Sequence, residues 1–191
     1  MFTYVVEQLD TVTVSADPLV DGMDLMSPFV WKEGDTYRMM VRVVPPPSTP
    51  AAPTGIIYAG SGSTGLAFTI DSNLAIAPGA DFADAGGCED PTVLHDAAAG
   101  RYLVYYTGVD PDAQGSMILA AGPSLSALAK EQLVLKAPPG EGNIKEATLV
   151  QTPAGDWRLF YEYAANDASR IGMAGGPTPE GPWRTLPDPF G

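Results

Sequence analysis

The sequence predicts an all-β chain of propeller architecture, and three observations carry that prediction. A β-hairpin followed by a third strand recurs three times, glycine and proline are spread along the whole length, and no long helical periodicity competes. The 191 residues include 21 Gly and 19 Pro, a usage suited to many short strands joined by tight turns.

The first copy of the unit runs Ser27-Pro28-Phe29-Val30-Trp31, turns at Glu33-Gly34-Asp35, and returns through Thr36 to Arg42. The second runs from Asp90-Pro91-Thr92 to His95, turns by Gly100, and returns through Arg101 to Thr107. The third runs from Glu146-Ala147-Thr148 to Gln151, turns at Ala154-Gly155-Asp156, and returns through Trp157 to Tyr163. β-Branched and aromatic flanks around turn residues mark each as a hairpin. A further strand ending in a small-residue bend follows each: Ile56 to Gly60, Ile118 to Gly122 and Ile171 to Gly175. Fourth strands are expected near Leu66–Phe68, Leu133–Leu135 and Trp183.

The unit recurs at roughly 53 to 65 residues, near the length of one four-stranded propeller blade. A β-sandwich shares the short strands but does not usually repeat such a unit. The chain therefore reads as one domain, residues 1–191, with blades over about 20–80, 81–138 and 139–191. Three blades do not close a ring. A partial propeller, one completed by another chain, or one with two unseen divergent blades all remain open. The stretch from Tyr4-Val5-Val6 to Val12-Val14 is expected to pair with a terminal blade, and Leu125 to Leu135 is the one segment with some helical character.

A net charge of −13 with only ten scattered Lys and Arg argues against nucleic acid, whose phosphates need clustered cations. It disfavours anionic membrane surfaces too. A neutral ligand such as a sugar fits better. The single Cys88 excludes an internal disulfide framework, and one His with one Cys argues against zinc; no cofactor or metal is expected. Met1 to Asp10 lacks the basic start and apolar run of a signal peptide, and no stretch is long enough to span a bilayer. A cytoplasmic protein is the expectation.

In a propeller the start of each hairpin lies near the central channel. Glu89-Asp90 and Glu146 occupy that place in two copies, with Asp21 and Asp24 upstream in the first. Converging carboxylates are what glycosidic cleavage needs, one to protonate the leaving oxygen and another to activate water or act as nucleophile. Asp21 and Asp24 fit turn formation better.

Gly87-Cys88-Glu89-Asp90-Pro91-Thr92-Val93 followed by Tyr102 to Gly108 resembles the hallmark stretch of glycoside hydrolase family 130. Ser27-Pro28 with Tyr37 to Arg42, and Asn143 to Thr148, agree with it, so that the resemblance spans about residues 20 to 185. It implies a five-bladed glycosidase-type propeller acting on a β-mannoside, with Asp90 as general acid. It further implies Arg42 in contact with the sugar and Lys145 where phosphorylases contact phosphate; Glu89, Tyr106 and Asp24 are further candidate substrate-binding residues. Thr92 stands where the phosphorylases carry Arg, and Tyr161-Glu162 where they carry His-Arg. Phosphate needs several cationic donors, so hydrolysis is expected over phosphorolysis, with Glu162 or Glu146 as base. Families 43 and 32 offer a second template, in which Asp24, Asp90 and Glu146 form the carboxylate set, Asp90 stabilises the transition state and Glu146 is the acid. Ser27-Pro28 departs from it where those families carry an Asp.

A second class of function stays open: a truncated or degenerate propeller that binds carbohydrate or assembles with itself without catalysis. A third arrangement is a homo-oligomer that completes the ring. Among other residues, His95 reads as a strand-end histidine with a local partner, Cys88 as buried packing, and Trp31, Trp157 and Trp183 as core. Pro45 to Pro53 reads as a stiff surface loop, and Gly60 to Gly65 as a turn without phosphate-binding context.

Overall fold

The computed structural model describes residues 10–15, 20–49, 51–137, 142–166 and 168–187. It is all-β, with three antiparallel four-stranded meanders in chain order. Blade one comprises β2 (Asp24–Glu33), β3 (Thr36–Val44), β4 (Ile56–Thr64) and β5 (Ala67–Ile76), with β1 (Thr13–Ser15) parallel to β5 on its outer edge. Blade two comprises β6 (Gly87–Asp96), β7 (Arg101–Val109), β8 (Gly115–Gly122) and β9 (Ala129–Lys136). Blade three comprises β10 (Gly142–Gln151), β11 (Trp157–Ala165), β12 (Ala168–Gly176) and the short β13 (Arg184–Thr185). The leading strands β2, β6 and β10 lie side by side, which is the inner wall of a partial propeller.

Alternation along the second strand of each blade explains the stacking, because successive side chains point to opposite faces. Met40, Tyr105 and Phe160 hold equivalent register positions; Met40 and Tyr105 face the following blade, and Phe160 faces away from blade two. Their neighbours Met39 and Val41, Val104 and Tyr106, Leu159 and Tyr161 face the other way. Met40, Ile57 and Ala59 accordingly pack on Cys88, Val104, Tyr106 and Ile118 of blade two. Leu103, Tyr105, Met117 and Leu119 pack on Ala147, Leu159, Tyr161 and Ala174 of blade three. β7 is buried on both faces, and its sequence is a near-continuous apolar and aromatic run for that reason. Each such side chain contributes about 1.5–3 kcal/mol by leaving water.

Two carboxylates add polar ties around the first interface. Glu33, at the end of β2, accepts from the Tyr102 hydroxyl at 2.6 Å and from Arg38 Nε at 3.1 Å, and lies 3.1 Å from His95 Nδ1. Asp84, fully buried in the loop between the blades, accepts from Lys130 Nζ at 2.5 Å, the Tyr106 hydroxyl at 2.8 Å and Gly79 N at 3.1 Å.

Several expectations need correction. Ala129–Lys136 is strand β9, which contains the fourth strand expected at Leu133–Leu135 and lacks the helical character read over Leu125 to Leu135. Gly60 to Thr64 belong to β4 and not to a turn; a Cβ at Gly62 would sit 1.9 Å from the Ala67 carbonyl, so the glycine admits a close strand approach. The partner of His95 is Glu33 of the neighbouring blade, and Asp96 bonds Ala98 N and Ala99 N in its own turn. Of the expected N-terminal strand, Thr13–Ser15 does pair with β5, whereas Tyr4 to Val6 lie outside the described residues. Cys88 is buried, and Trp31 and Trp183 pack against the two interblade cores. Among the described residues no helix is long and apolar enough to cross a membrane.

The Tyr102 hydrogen bond, with Arg38 and His95, holds the Glu33 carboxyl below the usual carboxylate range, although burial opposes it. A depressed carboxylate stabilises the fold in full above its unfolded value, and that stability is lost as pH falls through the folded value. Thermal melts on acidification should fall more steeply for the wild type than for Glu33→Gln. In urea unfolding, Ile118→Ala should cost about 2–5 kcal/mol, because Ile118 is completely enclosed between blades.

Candidate active site at the blade bulges

Each leading strand breaks register at the same point. The shifts fall between Met26 and Phe29, Glu89 and Thr92, and Lys145 and Thr148. Inside each break one non-glycine residue takes a left-handed backbone: Ser27 (φ 48°), Asp90 (φ 48°) and Glu146 (φ 54°). Such conformations cost about 1–3 kcal/mol each and persist where the surroundings over-determine them, often at functional sites. A bulge also re-aims a side chain out of the strand's ordinary alternation. Pro28 and Pro91 follow two of the three, and lacking an N–H they leave no ladder donor stranded there.

The three bulges open onto one depression of about 310 Å³, lined by Ser27, Asp90 and Glu146 with the residues that follow each. Ser27 Oγ lies 2.6 Å from Asp90 Oδ1 and donates to it, across the boundary of blades one and two. Thr92 Oγ1 donates to the Ala147 carbonyl at 2.6 Å, tying blade two to blade three. The Glu146 amide donates to Thr107 Oγ1 at 3.3 Å.

Glu89 is buried beside this row and accepts two cations from different blades. Arg42 Nη2 of blade one lies at 2.7 Å and Lys145 Nζ of blade three at 3.1 Å. The Arg42 guanidinium is fixed further by two bonds to the Thr54 carbonyl, at 3.0 and 2.6 Å. That loop is stitched to β6 by Thr54 N to Gly86 O at 2.8 Å and Cys88 N to Gly55 O at 2.9 Å. Gly87 is required at the stitch: its φ is +155°, and a Cβ there would meet Thr54 Oγ1 at 2.2 Å.

Glu146 carries the informative electrostatics. Partial burial, then the negative charges of Asp90 and Glu162, push its carboxyl above the ordinary value, with Lys145 opposing. Its side chain is exposed to solvent. A carboxyl whose pKa is raised beside a second carboxylate is the electrostatic pattern of an acid catalyst.

Of the residues singled out by sequence, Asp90 and Glu146 meet at the depression. Glu89, Arg42 and Lys145 form the adjacent charge cluster and do not line it. Glu162 sits across from Lys145 in register and accepts from the Ser169 hydroxyl. Asp24 begins β2 and is exposed, outside the depression. Tyr106, expected as a sugar contact, is instead a core residue with its hydroxyl on Asp84. Ser27, Thr92 and Thr107 emerge from the structure as the polar partners of the row. The position of Ser27 in the repeat, equivalent to Asp90 and Glu146, is the sequence signal that marks it.

No protein-family profile matches the chain, and neither does any curated protein. Solved structures do match. Zg3597, a family 117 glycoside hydrolase of the marine bacterium Zobellia galactanivorans, superposes with a TM-score of 0.77 at 17% identity, over 93% of this chain and 60% of that one. A family 130 glycoside hydrolase, from a study of enzymes that target β-1,2 mannosidic linkages in Candida mannan, gives 0.67 at 16% identity, over 86% and 49%. MPT-4, a mannose phosphorylase of Leishmania mexicana, gives 0.63 at 15% identity, over 89% and 47%. The fold is therefore that of the glycosidase-type propellers, and the chain spans about half to 60% of the length of these relatives.

Glu89→Gln should cost about 2 kcal/mol or more in urea unfolding. It leaves two cations facing a neutral amide, but their partial exposure keeps the loss below that of a fully enclosed pair.

Proposed function

We propose that this protein hydrolyses a neutral β-linked glycoside, a β-mannoside on the family 130 resemblance, at the depression between its blades. The observation that carries the reading is the threefold bulge, which turns Asp90 and Glu146 toward one space. Glu146 donates its proton to the glycosidic oxygen as the C–O bond breaks. Asp90, oriented by Ser27, meets the positive charge developing at the anomeric carbon. Glu146, now ionised, takes a proton from the water whose oxygen completes the cleavage. This gives Glu146 the acid role of the family 43 and 32 template and not Asp90, as the family 130 resemblance implies. The raised Glu146 carboxyl favours that exchange. Glu162 acts through its charge, which helps keep Glu146 protonated.

Hydrolysis is favoured over phosphorolysis by the state of the cations. Arg42 and Lys145 are both engaged by Glu89, and the Thr92 hydroxyl is engaged by a carbonyl. A phosphate would have to compete with a buried carboxylate for both charges. A sugar-binding module without catalysis is the second reading, favoured by Ser27, a hydroxyl where the other two blades place carboxylates.

Aryl β-mannosides of graded leaving-group acidity test the scheme. The wild type should release the aryl group equally with and without phosphate, and its rate should fall as pH rises through the raised Glu146 value. Asp90→Asn and Glu146→Gln should each lose about 10²–10⁴-fold. Only Glu146→Gln should recover with a leaving group that needs no proton, and its profile should lack the basic limb. Recovery of Asp90→Asn instead would hand the acid role to Asp90. Sugar binding without cleavage by the wild type would establish the second reading.

A further inference from the structure

Among the described residues, no blade lies on the face of blade three that points away from blade two. Its residues occupy register positions that are interblade contacts in the other two sheets. Ile171 pairs with Glu162 as Ile57 pairs with Arg42 and Met117 with Thr107. Ile57 and Met117 are 0% exposed, whereas Ile171 is 53% exposed. Phe160 stands where Met40 and Tyr105 are fully buried, and it too is partly open. Val150, 47% exposed, shares the face beside Arg158. The polar position repeats as well: Arg42 and Thr107 each tie into the leading strand of the next blade, and Glu162 is their counterpart. An apolar sheet face with interface-grade residues left in water marks an association surface.

We propose that this face binds a second copy of the same chain through a two-fold contact, β11 against β11. The charge pattern of the strand selects that occupant. Arg158 and Glu162 lie on the open face, two residues to either side of Phe160. A two-fold axis in the plane of the interface, crossing β11 at Phe160, reverses the strand direction. It sets Arg158 of each copy opposite Glu162 of the other and Phe160 against Phe160, with Ile171 and Met173 filling the flanks. A self-complementary patch of this kind suits isologous pairing. A head-to-tail ring suits the molecule less well. The complementary face of blade one, with Met39, Val41 and Val43, is already covered by Val14, Val20 and Met23 of the chain's own start.

Sedimentation equilibrium of the 191-residue chain at micromolar concentration tests this. The expected particle has twice the chain mass of 20.0 kDa. Ile171→Asp should raise the dimer dissociation constant by roughly 30-fold or more. Arg158→Glu should do likewise by facing Glu162 with a like charge, and Arg158→Glu combined with Glu162→Arg should restore the dimer. Circular dichroism melts report whether each variant is folded, and the charge-swap pair keeps the test decisive if Ile171→Asp is not. A monomeric wild type overturns the proposal. So does a dimer indifferent to Arg158→Glu, or a double swap that fails to recover. The outcome is independent of glycoside cleavage, because mass and activity are read separately.

Discussion

A left-handed residue inside a register break, repeated at the same point of three leading strands, is the constraint on which the rest of the site depends. An unbroken strand would send Asp90 and Glu146 along the ordinary alternation, to the faces where blades pack. The break frees them from that alternation. Its energetic cost is offset by a local frame on each side: the Pro that needs no ladder bond, the Thr92 hydroxyl on the Ala147 carbonyl, and the Thr107 hydroxyl beneath the Glu146 amide. Strain and convergence of the carboxylates are thus one feature of the backbone.

Convergence across blades also requires that the blades hold their angles. The second and third strands of blades one and two are sealed on the faces turned toward their neighbours, so the leading strands have little freedom to part. Charge reinforces apolar packing at the inner edge. Glu89 draws a cation from the blade before it and one from the blade after it. The same contact that braces three blades removes both cations from the pool available to an anionic ligand. One carboxylate thus both braces the blades and pairs both cations.

Much of the fold was legible in the sequence because the repeat is written in turn residues and β-branched or aromatic strands, which local chemistry dictates. All three hairpins and their following strands lie where the repeat puts them. Leu125 to Leu135 misled because a short apolar run fits strand and helix alike until a sheet edge is there to receive it. Gly60 to Gly65 misled because glycine marks a close backbone approach as readily as a turn, and only the path of β5 distinguishes them. At the site, equivalence in the repeat pointed to Asp90 and Glu146. It could not separate Tyr106 from a sugar contact, since the burial of a tyrosine within a two-faced strand is a tertiary fact. The partner roles of Thr92 and Thr107 were likewise hidden, because each acts across a blade boundary, whereas Ser27 is marked by its place in the repeat.

The site turns on the coupling of two carboxylates, Asp90 and Glu146, that lie one repeat apart in the sequence. Carbon-13 NMR titration of the Glu146 carboxyl, in the wild type and in Asp90→Asn, reads that coupling without any substrate. The account predicts a wild-type midpoint above the ordinary glutamate value and a fall toward that value when the Asp90 charge is removed. A Glu146 that titrates as an ordinary glutamate, or whose midpoint ignores the loss of Asp90, would contradict it.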